Sequence, residues 1–317
     1  MKAVVLDRFG GPDELVVRDV PVPSIGDDDV LIKVEYAGIG QWDTFEREGG
    51  YDEMLGVHSK FPYILGSEGS GTIYNKGKKV DNLDIGDKVY APGFLNPQGG
   101  FYAEFVAIDS KYVLKIPDAI TVKEASVISG VGLTALRGLE DVLRLKKGES
   151  IMIFGASGGI GHLAVQLAQN MGARVFAIAS GEDGVAMLRK LGVDAVVDGR
   201  KVDVLSATRE FAPVGFDSAL FTAGGELANS LVQCVRVGGH IACPNGIYPI
   251  SETRPDINLV GYNGEPEPGI IQRLNNWIGS GKLSVHIDEV FLLKDAYKAH
   301  LTLEEHYVGK LCFKVND

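Results

Sequence analysis

The hydrophobic positions along this chain change their period twice. Up to about residue 120 they come in short alternating runs, at 30–34, 72–74 and 88–90, separated by Gly, Pro and Asp. Strand-length runs broken by turns such as Ile85-Gly86-Asp87 predict a compact β body. From about 121 to 260 strand and helix patterns alternate. Ser150–Phe154, Arg174–Ala179 and Phe216–Phe221 read as buried strands, with shorter ones at 195–197 and 239–242. Between them, 161–171 carries Leu163, Leu167 and Ala168 at helical spacing, and 184–191 predicts a second helix. Such alternation implies right-handed crossovers and a parallel sheet. The remaining segment holds a helix at 270–278 and a terminal strand at 310–315, too little for a domain of its own. It is expected to return to the β body, so that 1–121 and 262–317 form one domain and 122–261 the other.

One motif gives the second region its chemistry. Gly155-Ala156-Ser157-Gly158-Gly159-Ile160-Gly161 follows a strand and opens a helix, with Ala156, Gly158 and Gly161 at the positions of G-x-G-x-x-G. A missing side chain at Gly158 lets backbone approach a pyrophosphate, the helix start offers unpaired N–H groups from Ser157 to Gly161, and Gly161 permits close helix–strand packing. The second strand ends in Ser180-Gly181, with no acid at its tip to hold a ribose diol. That leaves room for a 2′-phosphate and favours NADPH over NADH, with Arg200 as the best phosphate clamp. Glu182 and Asp183, close by, work against it.

Composition narrows the function further. A chain of 317 residues with 45% hydrophobic and 23% charged residues can build about two ordinary cores. A formal charge of −11 makes nucleic acid an unsuitable partner. The first residues lack an apolar export segment, and no apolar run has the roughly 18 residues a membrane span needs. Cys234, Cys243 and Cys312 form no C-x-x-C pair and read as reduced core thiols. These features together fit a cytoplasmic protein.

Further motifs resemble the medium-chain dehydrogenase/reductase superfamily, and the quinone oxidoreductases within it. Ala37-Gly38-Ile39-Gly40-Gln41-Trp42-Asp43 through Arg47 is similar to A-G-V-N-P-x-D-x-x-x-R. Gly66-Ser67-Glu68-Gly69-Ser70-Gly71, Gly86-Asp87-Lys88-Val89, Gly100 to Glu104, Gly132 to Ala135, Ala223-Gly224-Gly225 and Gly309-Lys310 follow in the expected order. The resemblance implies a GroES-like β domain beside a doubly wound Rossmann domain, an active site in the cleft between them, and a homodimer. It places Thr134, Ala223, Gly224, Asn245 and Gly246 near the nicotinamide. Zinc members of the superfamily bind metal through Cys, His and Cys. The matching places here hold Gly40, Ser67 and Gly130, which are poor or impossible zinc ligands.

Without a Lewis acid, the expected reaction is hydride transfer from NADPH to an acceptor that needs little acid help, such as a quinone or an α,β-unsaturated carbonyl. Gln41, Trp42 and Tyr51 would line the substrate pocket, built by loops around 41–63 and 245–268. Tyr51 is the candidate proton donor, though its ring could equally serve as a pocket wall. Asp43 and Arg47, four residues apart, are expected to pair on one helix. The six histidines read as surface or capping residues. Two alternatives stay open: an enoyl-thioester or enone reductase of one metabolite, and a non-catalytic NADPH-binding protein. A short-chain dehydrogenase does not fit, because its glycine motif would stand near residue 10.

Overall fold

The computed structural model describes residues 1–247 and 254–316. They divide into two compact units, Met1–Gly130 with Pro266–Gly279 and Ile287–Asp317, and Val131–Glu265 with Ser280–His286.

The first unit is organised by one long strand, Asp29–Ile39. Along one edge it pairs antiparallel with Glu68–Lys76. Its other edge is shared, the first half pairing with Phe105–Asp109 and the second with Lys310–Lys314. Lys88–Pro92 and Leu114–Lys115 extend the sheet on one side, and Ile287–Leu292 lies parallel to Lys310–Lys314 on the other. The C-terminal strand is therefore built into the first unit. Alternation along Asp29–Ile39 sends Val30, Ile32 and Val34 into a core with Phe101, Tyr102 and Phe313. Tyr102 meets Phe313 edge-on, ring centroids 4.8 Å apart.

In the second unit the described strands form a parallel sheet in the order Ala195–Asp198, Arg174–Ala179, Ser150–Phe154, Phe216–Phe221, Val235–Pro244, Asn258–Tyr262. Counted along the chain this is 3-2-1-4-5-6, the doubly wound dinucleotide-binding order, whose strand order reverses between Ser150–Phe154 and Phe216–Phe221. Helix Gly159–Asn170 leaves the first of these strands and buries Leu163, Ala164, Leu167 and Ala168. Helix Gly181–Lys190 begins three residues earlier than its apolar spacing indicates, because its first turn is polar.

Three expectations are corrected. Asp43 and Arg47 do not pair. Asp43 Oδ2 turns back to accept the Gly40 N–H at 2.8 Å, while Arg47 reaches the Gly10 carbonyl, His300 and Glu48. Spacing of four brings two residues to one face, but the free N–H at a helix start competes for the acid. His300 is not at the surface. It is fully buried, 3.0 Å from Arg47 through Nδ1, and burial followed by the Arg47 charge pulls its pKa down to about 3. Cys234 is only partly buried, whereas Cys243 and Cys312 are core thiols, and all three are unbridged. Among the described residues no helix is long and apolar enough to cross a membrane.

Phe313 has no exposed surface and closes the first unit's core. Phe313→Ala is expected to destabilise that unit by about 3–5 kcal/mol through lost burial and a residual cavity. A urea titration followed by Tyr and Trp fluorescence should show an earlier first transition; an unmoved midpoint would contradict this packing.

Candidate functional site

The second unit gathers its glycine-rich turns at the carboxyl ends of its strands. Gly155 follows Ser150–Phe154, with Thr222 Oγ1 donating to the carbonyls of Phe154 (2.9 Å) and Gly155 (3.1 Å) across the point where strand order reverses. Ala156 N–H donates to Ile178 O, and Gly158 N–H to Gly155 O, so the turn is held by backbone. Two glycines in it differ in kind. A β-carbon at Gly161 would stand 2.2 Å from the Gly155 carbonyl, so the protein itself forbids one. At Gly158 the nearest atom would be 3.4 Å away, an ordinary contact. No described residue needs Gly158 bare, which is what space kept for a ligand looks like.

The neighbouring turns complete this end of the sheet. Ser157 Oγ accepts the Ser180 N–H at 3.2 Å, tying the glycine loop to the tip of the second strand. Asp198, at the end of the third strand, accepts N–H bonds from Arg200 (3.0 Å) and Gly181 (3.2 Å). These hydrogen bonds, the Arg200 amide first, hold its carboxyl below the usual range. Glu182 pairs with Lys201, and Asp183 Oδ1 accepts the Gly184 N–H at 2.8 Å. The acids that sequence set against a 2′-phosphate are thus engaged, whereas Arg200 is exposed and, among the described residues, bonded through its backbone only. Asn245 and Gly246 follow Val235–Pro244, with Asn245 Nδ2 donating to Asn263 at 2.8 Å. Thr134 lies against Gly264, where an added β-carbon would come within 2.0 Å of its hydroxyl. Its carbonyl accepts the Tyr262 hydroxyl at 2.9 Å. Of the loop 245–268, residues 248–253 lie outside the described residues.

The first unit assembles a polar cluster around helix Gln41–Arg47. The Trp42 indole covers both Gly40 and Gly130: added β-carbons there would stand 2.6 Å and 3.3 Å from its ring. The Lys310 ammonium lies 4.3 Å from the centre of that ring, donates to Ile39 O at 3.0 Å, and pairs with Glu68 at 2.9 Å off the line of a hydrogen bond. Glu68 Oε2 accepts the Gly130 N–H (2.7 Å) and the Ser129 hydroxyl (3.1 Å). Gln41, expected at the pocket, spends its amide on the Leu303 carbonyl at 2.5 Å.

Next to this pair, Ser67 Oγ lies 3.5 Å from Asp43 Oδ1 and 3.3 Å from Glu46 Oε2, and the Tyr63 hydroxyl donates to Glu46 Oε1. Burial, then the neighbouring Glu46, pushes Asp43 up to about 7. Burial also lifts Glu46 to about 7, against the hydrogen bonds of Tyr63 and Ser67. Tyr51 is clamped edge-on between Phe45 and Phe94, each 4.8 Å away. Burial, then the charges of Glu46 and Asp43, raise its pKa and keep it a neutral phenol. Sequence reading missed Glu46, Tyr63 and Phe94: Glu46 lies within the stretch ending at Arg47 and Tyr63 just before the Gly-Ser-Glu stretch, while Phe94 carries no local signal.

Comparison with known proteins agrees with both halves. Residues 26–118 match the alcohol dehydrogenase GroES-like domain, and residues 159–247 match a family described as zinc-binding dehydrogenase. An alcohol dehydrogenase of Geobacillus stearothermophilus is 31% identical over 264 residues, 75% of this chain and 76% of its own. A quinone oxidoreductase of Mus musculus is 31% identical over 272 residues, 83% and 80% of the two chains. Among solved structures, the quinone oxidoreductase of Coxiella burnetii aligns with a TM-score of 0.87 at 28% identity, covering 100% of this chain and 99% of that one. A mycobacterial protein solved with NADPH aligns at 0.85 and 26%, covering 99% and 100%.

The two loop glycines should separate on substitution. Gly161→Ala must displace the Gly155 carbonyl and is expected to lower thermal stability. Gly158→Val is expected to leave stability within about 0.5 kcal/mol, as at sites free of packing conflict, yet to abolish dinucleotide binding. Thermal melts beside nucleotide fluorescence titration check this; normal binding by Gly158→Val would remove the loop from the site.

Proposed function

Because the chain belongs to the medium-chain dehydrogenase/reductase superfamily, among its quinone oxidoreductase-like members, we propose that it is an NADPH-dependent, zinc-independent reductase of quinones or other electron-poor α,β-unsaturated carbonyls. Membership makes it a nicotinamide-dependent oxidoreductase of small molecules. The choice of cofactor, acceptor and metal independence is our reading.

The observation that carries the reading is Trp42. Zinc-binding relatives need three side-chain ligands, and two of the matching places are glycines roofed by the Trp42 ring. A cysteine at either would meet indole before metal. The third, Ser67, is a weak ligand engaged with two carboxylates. A cation is already nearby, since Lys310 balances Glu68 and rests on the same ring. The residues present do not suit zinc, and no step runs through one. Acceptors that are electrophilic without a Lewis acid are the class that such a site serves.

The amides opening helix Gly159–Asn170 and the bare Gly158 suit a pyrophosphate, and Thr134, Ala223, Gly224, Asn245 and Gly246 are the residues we assign beside the nicotinamide ring. Bound there, the reduced ring supplies a hydride. Ser180 and Gly181 leave the second strand's tip uncharged, and Arg200 is free to meet a 2′-phosphate. Tyr51, between Phe45 and Phe94, forms an apolar wall for the acceptor, with Trp42 beside the same helix start. Asn258–Tyr262 is the outer strand of its sheet, and pairing of two such edges would give the homodimer that the family resemblance implies.

Arg200→Ala is expected to weaken NADPH binding about 10-fold, the loss of one charge-assisted contact, while NADH affinity stays as it was. Titrations of both nucleotides decide this, and equal losses for the two would reject the clamp. The same preparations, tested with a quinone and an enone after chelation, should keep their rates. Stoichiometric zinc, or activity lost to a chelator, would refute the zinc-independent reading.

A further inference from the structure

Hydride addition to an enone leaves a carbanion equivalent that must still be protonated, and the first unit holds a chain of groups suited to that task. Asp43 and Glu46 are both buried, and both lie within reach of the one Ser67 hydroxyl. Two carboxylates so placed cannot both stay ionised at little cost, so near neutrality the pair retains about one proton. Beyond the pair, Glu46 accepts the hydroxyl of Tyr63, which is only half-buried. The fully buried Tyr102 hydroxyl approaches Asp43 without completing a hydrogen bond in good geometry, leaving a polar atom aimed into the cluster. Ser67 is 7% exposed and, by the family resemblance, matches the place of a metal-binding histidine in zinc members.

We propose that Ser67 delivers the proton that completes reduction, drawing it from the Asp43–Glu46 pair behind it and refilling the pair from solvent through Tyr63. This rests on the reductase reading above. In balance, the β-carbon of the enone gains a C–H bond from the hydride of NADPH, which leaves as NADP+. The resulting enolate takes the Ser67 proton at its α-carbon. As that O–H bond breaks, the neutral carboxyl of the pair passes its proton to Ser67 Oγ, and one proton from solvent restores the carboxyl through Tyr63. Tyr51, whose hydroxyl makes no hydrogen bond to the pair, then acts as wall.

The geometry distinguishes acceptors. An enolate needs a directed proton at carbon, whereas a quinol anion is protonated at oxygen by water. Ser67→Ala is therefore expected to lower enone kcat about 10²-fold, a typical general-acid contribution, with quinone turnover in the same sample falling far less. Ser67→Thr, which keeps the hydroxyl, should restore most of the rate. Enone kcat should fall as pH rises through about 7, where the pair loses its proton, and Glu46→Gln should remove that limb. The groups facing the pair and able to shift it are Asp52, Tyr63, Tyr102 and Lys310.

A readout independent of turnover is the infrared carbonyl band of a protonated carboxylic acid in cofactor-free protein. It should be present below pH 7, bleach as pH rises, and vanish in Glu46→Gln or move strongly. Unchanged enone kcat in Ser67→Ala, or equal losses for enone and quinone, would overturn the relay while leaving the reductase reading intact. Wild-type protein that binds NADPH yet reduces neither acceptor would overturn both.

Discussion

A lysine and a glutamate buried together hold the first unit's chemistry in place. Lys310 is 3% exposed and Glu68 not at all. Charges so far from water are tolerated only when each has partners on every side. Lys310 forms an ion pair with Glu68 and donates to the Ile39 carbonyl, with an indole face beneath it. Glu68 takes the remaining bonds from Ser129 and Gly130. The pair thereby ties the long strand, the C-terminal strand and the start of helix Ser129–Leu136 into one arrangement. Removing either charge would strand the other, at a cost of about 3–5 kcal/mol. Trp42 is fixed as a consequence, sandwiched between a cation and two glycines.

That arrangement also decides what the remaining acids can do. Of the three buried carboxylates described in the first unit, Glu68 has its own cation. Asp43 and Glu46 are left with a backbone amide, two hydroxyls and each other. A distant share of the Lys310 charge lowers Asp43 less than burial and Glu46 raise it. The cluster is thus short of positive charge by construction, and a shared proton is its cheapest remedy. Hydroxyls can relay a proton but cannot neutralise a charge, so the shortage persists whatever their rotamers.

How much of this could be read from the chain depends on the range of the constraint. Parallel strands and the glycine loop were legible because each is local: a buried run, a turn, a helix start. The motif already assigned Gly161 to close packing; what it did not name is the partner, the Gly155 carbonyl, which only the folded turn supplies. Asp43 and Arg47 misled because spacing reports proximity but not competition from a free helix N–H. His300 was misread because its partner lies 253 residues away. The strand Ile287–Leu292 was hidden by its two acids, Asp288 and Glu289, which interrupt the expected alternation. Glu46 and Ser67 lie in stretches that carry motifs, yet nothing in the sequence links them to Tyr63, and only the return of the chain after helix Gly50–Leu55 brings the three together.

The two halves of the proposed chemistry accordingly sit on different physical footings. The nucleotide half is made mostly of backbone, N–H groups and absent side chains at strand ends, and such a site depends on glycines at set intervals. The proton half is made of side chains whose ionisation is set by burial and by neighbours distant in sequence. In the zinc-independent reductase proposed, the first half would need no change, because hydride delivery is the cofactor's property. What it must replace is the handling of negative charge on the acceptor. An electrophilic acceptor relaxes the need for a cation at the moment of hydride transfer. The need that then remains is a proton delivered afterwards, and buried carboxylates short of partners are the groups in this unit able to hold one in readiness.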